Sequence, residues 1–281
     1  VPESVTRAEE LLTGLIKVVP PNSPGWVRLD LVYASLAGVY DRQDKTEQAA
    51  ALIENSRKEF PASYELLSKD FFLRLAQGRA DVALRLVQEY RPRAEEAEAK
   101  LLLLAIGQLL ADDKRAEESA RKFLRTRDAN RDYIRMMLYW YLRRHGKDRE
   151  AQRLLEERWG AINDLTWERR LQSEGPTVWR EMLIGYYLGK VSREDIFGPL
   201  ESLKRFERSP LRQVGIPFAG LRCEAHFYDA LLQAVTGNAK DRVERELKSL
   251  EAVLSSHHVN YFEHKMAQYL RGGLRQDSTA H

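Results

Sequence analysis

Six histidines, one cysteine, several paired carboxylates and five tryptophans are the side chains through which this chain could do chemistry. His257, His258 and His264 lie close together near the C-terminus. A helical metal motif needs ligands at i and i+4 on one face, with a carboxylate and supporting hydrogen bonds behind them. His257 and His258 are adjacent, so on a helix they would point about 100° apart, and they fall in the loop expected before a closing helix. No metal is expected there. Cys223 opens a helical stretch, where the positive end of a helix dipole can lower a thiol pKa. Its nearest histidine, His226, stands on the same helix, whereas nucleophilic pairs come from separate elements. Cys223 therefore reads as a small packing residue. Glu95-Glu96, Glu117-Glu118 and Glu156-Glu157 are neighbours in sequence, which on a helix means solvated faces. No glycine-rich phosphate loop, nucleophile elbow or zinc-protease helix is present. No catalytic residue and no cofactor are expected.

The aromatic and arginine side chains offer binding chemistry instead. Tyr139, Trp140 and Tyr141 are consecutive, so all three cannot face one core, and Trp159, Trp167 and Trp179 flank an irregular segment. One reading has them plugging a packing defect. The other has some of them lining a partner surface, where Trp, Tyr and Arg are enriched. Arg135, Arg143, Arg144, Arg169, Arg170 and Arg180 lie nearby in sequence; a planar guanidinium fork suits an acidic or C-terminal carboxylate group. The candidate partner contacts are Tyr33, Arg74, Arg135, Trp140, Arg144 and Trp179.

The elements that must position these residues are helices. Tyr33, Leu36, Ala37 and Tyr40 share one helical stripe, a turn follows at Asp41-Arg42-Gln43-Asp44, and Ala49, Ile53, Ser56 and Pro61 come after. Similar phrases start near positions 64, 100 and 132, a drifting period of about 34 residues. In the second copy Asp70 and Arg74 fall where apolar residues are expected. In the third, Gly107 marks a close helix approach, with Ser119 and Phe123 on the second helix. The phrase resembles the tetratricopeptide repeat (TPR). That resemblance implies an all-α, TPR-like helical-hairpin solenoid, a right-handed superhelix of about 14 helices, whose copies must stack to bury their apolar faces. The expected organisation is an N-terminal capping helix and linker over 1–29, four repeats over 30–160, and an irregular segment, helical pairs and closing helix over 161–281. Within the last part, one helix is expected over Ser192–Arg208, opened by the capping box Ser192-Arg193-Glu194-Asp195. A Pro- and Gly-bearing loop follows to Pro217, and the closing helix runs over Tyr261–Leu270 before a frayed tail.

Composition narrows the function classes. Hydrophobic residues make up 43% of the chain and charged residues 31%, with 16 Gly and 10 Pro, which excludes collagen-like and disordered chains. Forty-five basic against 42 acidic side chains leave a net charge of +3, no footprint for nucleic acid. The longest apolar run, Leu101–Ile106, falls far short of the roughly 18–20 residues that span a bilayer. One cysteine rules out a disulfide framework. The opening Val1-Pro2-Glu3-Ser4 suggests a processed or trimmed start, with any signal peptide or lipid anchor upstream.

Three later phrases narrow the reading further. They are Leu183-Ile184-Gly185-Tyr186-Tyr187-Leu188-Gly189-Lys190-Val191-Ser192, then Cys223-Glu224-Ala225-His226-Phe227-Tyr228, then Asn260-Tyr261-Phe262-Glu263-His264. In this order, over 132–273, they resemble the C-terminal region of bacterial outer-membrane TPR lipoproteins, though no lipid-attachment cysteine stands in the chain. The resemblance implies a non-enzymatic adaptor of the cell envelope or periplasm that docks a protease or cell-wall enzyme, often as a homodimer through the first or last helix. The expected function is a scaffold that holds a protein or peptide partner in a concave groove. A cytosolic chaperone or assembly factor is the first alternative, and a hydrolase or metal enzyme in the irregular middle the second.

Overall fold

The computed structural model describes residues 3–20, 28–159, 170, 174–236, 239–256 and 262–279. Among them are fifteen α-helices and no strand, so the all-α expectation and the helical hairpins hold. The period is more regular than the sequence phrases suggest. The residue ending each hairpin turn is left-handed: Asp44 (φ 58°), Gly78 (φ 75°), Asp112 (φ 55°) and Gly146 (φ 71°), each 34 positions after the last. Four matching 6→1 bonds close the helices before them, from Lys45, Arg79, Asp113 and Lys147 amides to the carbonyls of Tyr40, Arg74, Gln108 and Leu142, at 2.9–3.0 Å. These are Schellman closures, which need a left-handed residue and so select Gly or Asp. The same closure recurs at Gly189 (φ 67°), where the Lys190 amide meets the Gly185 carbonyl at 2.8 Å. That copy lies out of period, because the chain between 160 and 175 intervenes.

The chain forms two compact units, Val1–Gly107 and Gln108–His281. The first holds α1 (Glu3–Val18), the hairpin α2 (Leu29–Arg42) and α3 (Thr46–Glu59), the hairpin α4 (Tyr64–Ala76) and α5 (Ala80–Glu89), and most of α6 (Ala97–Leu110). Its core centres on Ala34, Ala37, Ala49, Ile53, Leu66 and Leu73, with Tyr33, Tyr40, Leu52 and Phe60 packed against it. Alanines on both α2 and α3 let the helix axes approach, and each buried Leu or Ile adds about 1.5–3 kcal/mol. The misfit of the second copy resolves into an ion network. Asp70, 2% exposed, takes Arg57 at 2.7 Å and Arg74 at 3.0 Å. Gly107 is indeed a tight spot, but the neighbours are side chains of the preceding hairpin. A Cβ there would sit 2.8 Å from Leu84 Cδ2 and 3.0 Å from Phe71 Cε2. Helix α1 contributes no buried residue and is tied on through Glu9, which accepts from Gln43 at 2.8 Å.

The second unit holds α7 (Ala116–Leu124), α8 (Arg131–Arg144), α9 (Asp148–Trp159), α10 (Pro176–Tyr187), α11 (Arg193–Phe197), α12 (Leu203–Glu207), α13 (Phe218–Gln233), α14 (Ala239–Ser255) and α15 (Phe262–Thr279). In α7 it is Ala116, Ala120 and Phe123 that are buried; Ser119 is only half-buried. Two further expectations are corrected. The single helix over 192–208 is three short pieces: α11, a 3₁₀ turn over Pro199–Glu201, and α12. Pro199 lacks an amide to continue the ladder, and Ser202 starts afresh by accepting from the Arg205 amide. The capping box at its head is present, with Ser192 and Asp195 each accepting the other's amide at 3.1 and 3.0 Å. The closing helix does not fray after Leu270; α15 runs through Gly272 and Gly273 to Thr279. Its packing against α13 and α14 outweighs the roughly 1 kcal/mol that each helical glycine costs.

Candidate functional site

The start of α8, the end of α9 and the start of α10 enclose a cleft of about 440 Å³ lined by Asp128, Ala129, Arg131, Asp132, Arg135, Arg158, Thr177 and Arg180. Helical spacing puts Arg131 and Arg135 one turn apart on α8, with Asp132 beside them. Arg158 closes α9, and Thr177 and Arg180 occupy the first turn of α10. Two buried acids organise the inner wall. Asp132 accepts Arg158 at 3.2 Å from both Nε and Nη2 and also receives Arg135. Glu181 accepts the Arg158 Nη2 at 2.7 Å and pairs with Arg170. Burial lowers the Arg135 pKa against the pull of Asp132, and the neighbouring Arg158 and Arg131 charges lower it further. For Arg158 burial works in the same direction, but its bonds and charge contacts with Asp132 and Glu181 prevail and raise it.

Two arginines of the cleft take no carboxylate. Arg131 donates from Nε to the Asp128 backbone oxygen at 3.1 Å. Arg180 donates to the Thr177 hydroxyl at 3.4 Å, its guanidinium lies 5.6 Å from the centre of the Tyr133 ring, and its Nε is buried without a hydrogen-bond partner. Asp128 uses Oδ1 to accept the Asn130 amide at 2.7 Å.

Behind this wall lies a buried polar cluster. The Tyr133 hydroxyl donates to Glu224, the Trp179 Nε1 donates to the same oxygen at 2.9 Å, and Tyr133 stacks on Tyr228 with centroids 5.3 Å apart. Burial raises the Glu224 pKa against the Tyr133 and Trp179 bonds and the nearby Arg180 charge. Glu263 is fully buried with neither carboxyl oxygen partnered. Burial and the nearby Glu224 charge push it well above the ordinary carboxylate range.

The six predicted contacts separate. Arg135 lines the cleft. Arg144 is exposed, its guanidinium 4.9 Å from the centre of the Trp140 ring. Trp140 and Trp179 are 1% and 0% exposed and present no face to solvent. Tyr33 and Arg74 belong to the first unit. Tyr33 is half-buried against Phe60 at 6.0 Å, and Arg74 is held by Asp70 and by Glu54 at 3.4 Å. Trp159 packs over Gly185, where a Cβ would meet its ring at 2.5 Å; Trp167 and the 257–258 histidine pair lie outside the described residues. Among the described residues no group of three His, Cys, Asp or Glu is placed to hold a metal, and no helix is long and apolar enough to cross a membrane. Cys223 is buried, and burial pushes its thiol up. Burial also pushes His226 down to about 4. Sequence reasoning named Arg135 and Arg180 but missed Arg131, Arg158 and Thr177. The signal for Arg131 and Thr177 is their place at the helix starts at 131 and 176; Arg158, at the end of α9, carried none.

No family model matches the chain, and no curated protein matches it. Among solved structures, a tetratricopeptide repeat protein from Parabacteroides merdae ATCC 43184 is similar, at 13% identity over 95% of this chain and 92% of that one, with a TM-score of 0.48.

Proposed function

We propose that this chain is a non-enzymatic protein-interaction scaffold that holds a partner through an acidic group seated in the arginine-lined cleft. The observation carrying this reading is the pair Arg131 and Arg180, two cations of one cleft whose bonds go only to neutral oxygens. A guanidinium fork left without a carboxylate is well suited to an acidic ligand. Arg135, from the predicted set, adds a third guanidinium beside them, and Arg144 offers an exposed contact on the same helix. The resemblance of the 132–273 region to envelope adaptors supports a protease or cell-wall enzyme as the client. The buried tryptophans serve this reading indirectly, by fixing the helices that carry the arginines.

Affinity capture with cross-linking tests it, using the wild-type chain and the Arg131→Ala/Arg135→Ala double variant. The wild type should enrich a defined protein partner, with cross-links mapping to α8 and the start of α10, and the variant should lose most of that capture. Undiminished capture by a folded variant, or cross-links confined to the first unit, would refute the placement.

A further inference from the structure

We infer that the group seated in this cleft is a phosphomonoester dianion rather than a carboxylate. This rests on the reading of the cleft as an acidic-ligand site and names its ligand class. Charge supports it first. Four arginines and two aspartates line the space, an excess of two positive charges. Asp132 is already committed to Arg135 and Arg158, so Arg131 and Arg180 are the guanidinium groups left to donate to a ligand. A carboxylate brings one negative charge. A phosphomonoester brings about −1.5 to −2 at pH 7, with three strong acceptor oxygens.

Donor geometry points the same way. Arg131 and Thr177 come from the first turns of two different helices, both longer than three turns. Neither helix has a side-chain cap: Asn130 and Gly175 make no capping bond. Helix α10 carries no acid in its first turn, so the positive end of its dipole is uncompensated there. Two guanidinium forks and a threonine hydroxyl line one cleft with the start of α10, a donor set that suits a ligand with three free oxygens better than a planar two-oxygen carboxylate. The cleft volume lies within the roughly 300–1,000 Å³ usual for ligand sites, enough for the phosphate and the group that bears it.

Calorimetric titration of the whole chain tests the inference with four probes: inorganic phosphate, O-phosphoserine, a phosphoserine peptide and N-acetylaspartate blocked at its α-carboxyl as the methylamide, which carries one negative charge. The phosphate-class probes should bind at least about tenfold more tightly than the aspartate probe, and Arg131→Ala should weaken them by about tenfold. Arg131 is exposed, so this variant should fold as the wild type does; Arg180→Lys provides a second variant that keeps the charge but loses the fork. A peptide that outbinds free phosphate identifies a phosphorylated protein segment as the source, and equal affinities identify a free phosphorylated molecule. Equal binding of the aspartate probe, no binding of any phosphate probe, or affinity unchanged in both variants overturns the inference. A chain that captures its partner but binds no phosphate ester loses this inference and keeps the scaffold reading. One that binds the ester but captures no protein does the reverse.

Discussion

Glu246 on α14 should make the stability of the second unit fall as pH rises, and substitution by glutamine should remove that dependence. The side chain is 7% exposed. Burial pushes its carboxyl up to about 7, against the opposing charges of Arg144 and Arg242. The folded state therefore binds this proton more tightly than the unfolded chain, whose carboxyl titrates near 4.5. A group raised in this way contributes its stability in full below the unfolded pKa and loses it as pH climbs through the folded one. At 1.36 kcal/mol for each pH unit the whole effect is about 3 kcal/mol, of which about 2.5 kcal/mol is lost between pH 5 and pH 8. Urea titration followed by tryptophan fluorescence suits the measurement, because Trp140 and Trp179 are both buried in this unit. The drop in unfolding free energy from pH 5 to pH 8 should be larger in the wild type than in Glu246→Gln by about 2.5 kcal/mol. Glu224 and Glu263 also have raised pKa values, but both proteins carry them, so the difference isolates Glu246. Two proteins whose pH dependences agree within about 0.5 kcal/mol would show that Arg144 and Arg242 hold Glu246 ionised, and the argument from burial would be wrong.

Two packing features yield further tests. Asp70→Ala leaves Arg57 and Arg74 facing each other without their shared acid; we expect a loss of about 3 kcal/mol in chemical denaturation, against little change for the exposed Asp81→Ala. Gly185→Ala places a Cβ 2.5 Å from both Trp159 Cζ3 and Val191 Cγ2, and should cost about 1–3 kcal/mol with a shifted tryptophan emission. The same change at Gly189, open on all sides but left-handed, should cost about 1–2 kcal/mol and leave the emission alone.

The hairpins were legible because their signals are local. Tyr33, Ala37, Ala49 and Ile53 lie on stripes fixed by the 3.6-residue turn, and glycines mark the turns at Gly78 and Gly146, whereas the left-handed Asp112 was not legible by type. Apolar spacing alone made the period drift, because the first helices vary in where they start: α2, α4, α6 and α8 begin at Leu29, Tyr64, Ala97 and Arg131. The break after Gly198 was missed because the capping box ahead of it reads like the head of a longer helix. The roles of the side chains were less legible, since they depend on partners far off in sequence. Asp70 looked like a defect and is an ion-pair hub across two helices. Trp140 and Trp179 looked like anchors for a partner, but Glu224, 45 positions beyond Trp179, takes the indole of the latter into the core.

The chain's net charge of +3 conceals how the cleft becomes cationic. Arginines are common on helical surfaces, and most find an acid within reach; here Arg121 has Glu117 and Arg153 has Glu157. In the cleft the acids are drawn inward instead. Asp132 and Glu181 are buried and share out Arg135, Arg158 and Arg170 between them. Glu224 could have met Arg180, but it is occupied by Tyr133 and Trp179, and the Tyr133 ring lies against the guanidinium. A cation over an aromatic face keeps its charge and most of its hydrogen-bonding capacity. Arg180 thus makes no direct bond to a carboxylate, and its charge is felt at Glu224 behind the ring. Three buried acids take up Arg135, Arg158, Arg170, Tyr133 and Trp179, so the interior of the unit determines which cations the cleft leaves for a ligand.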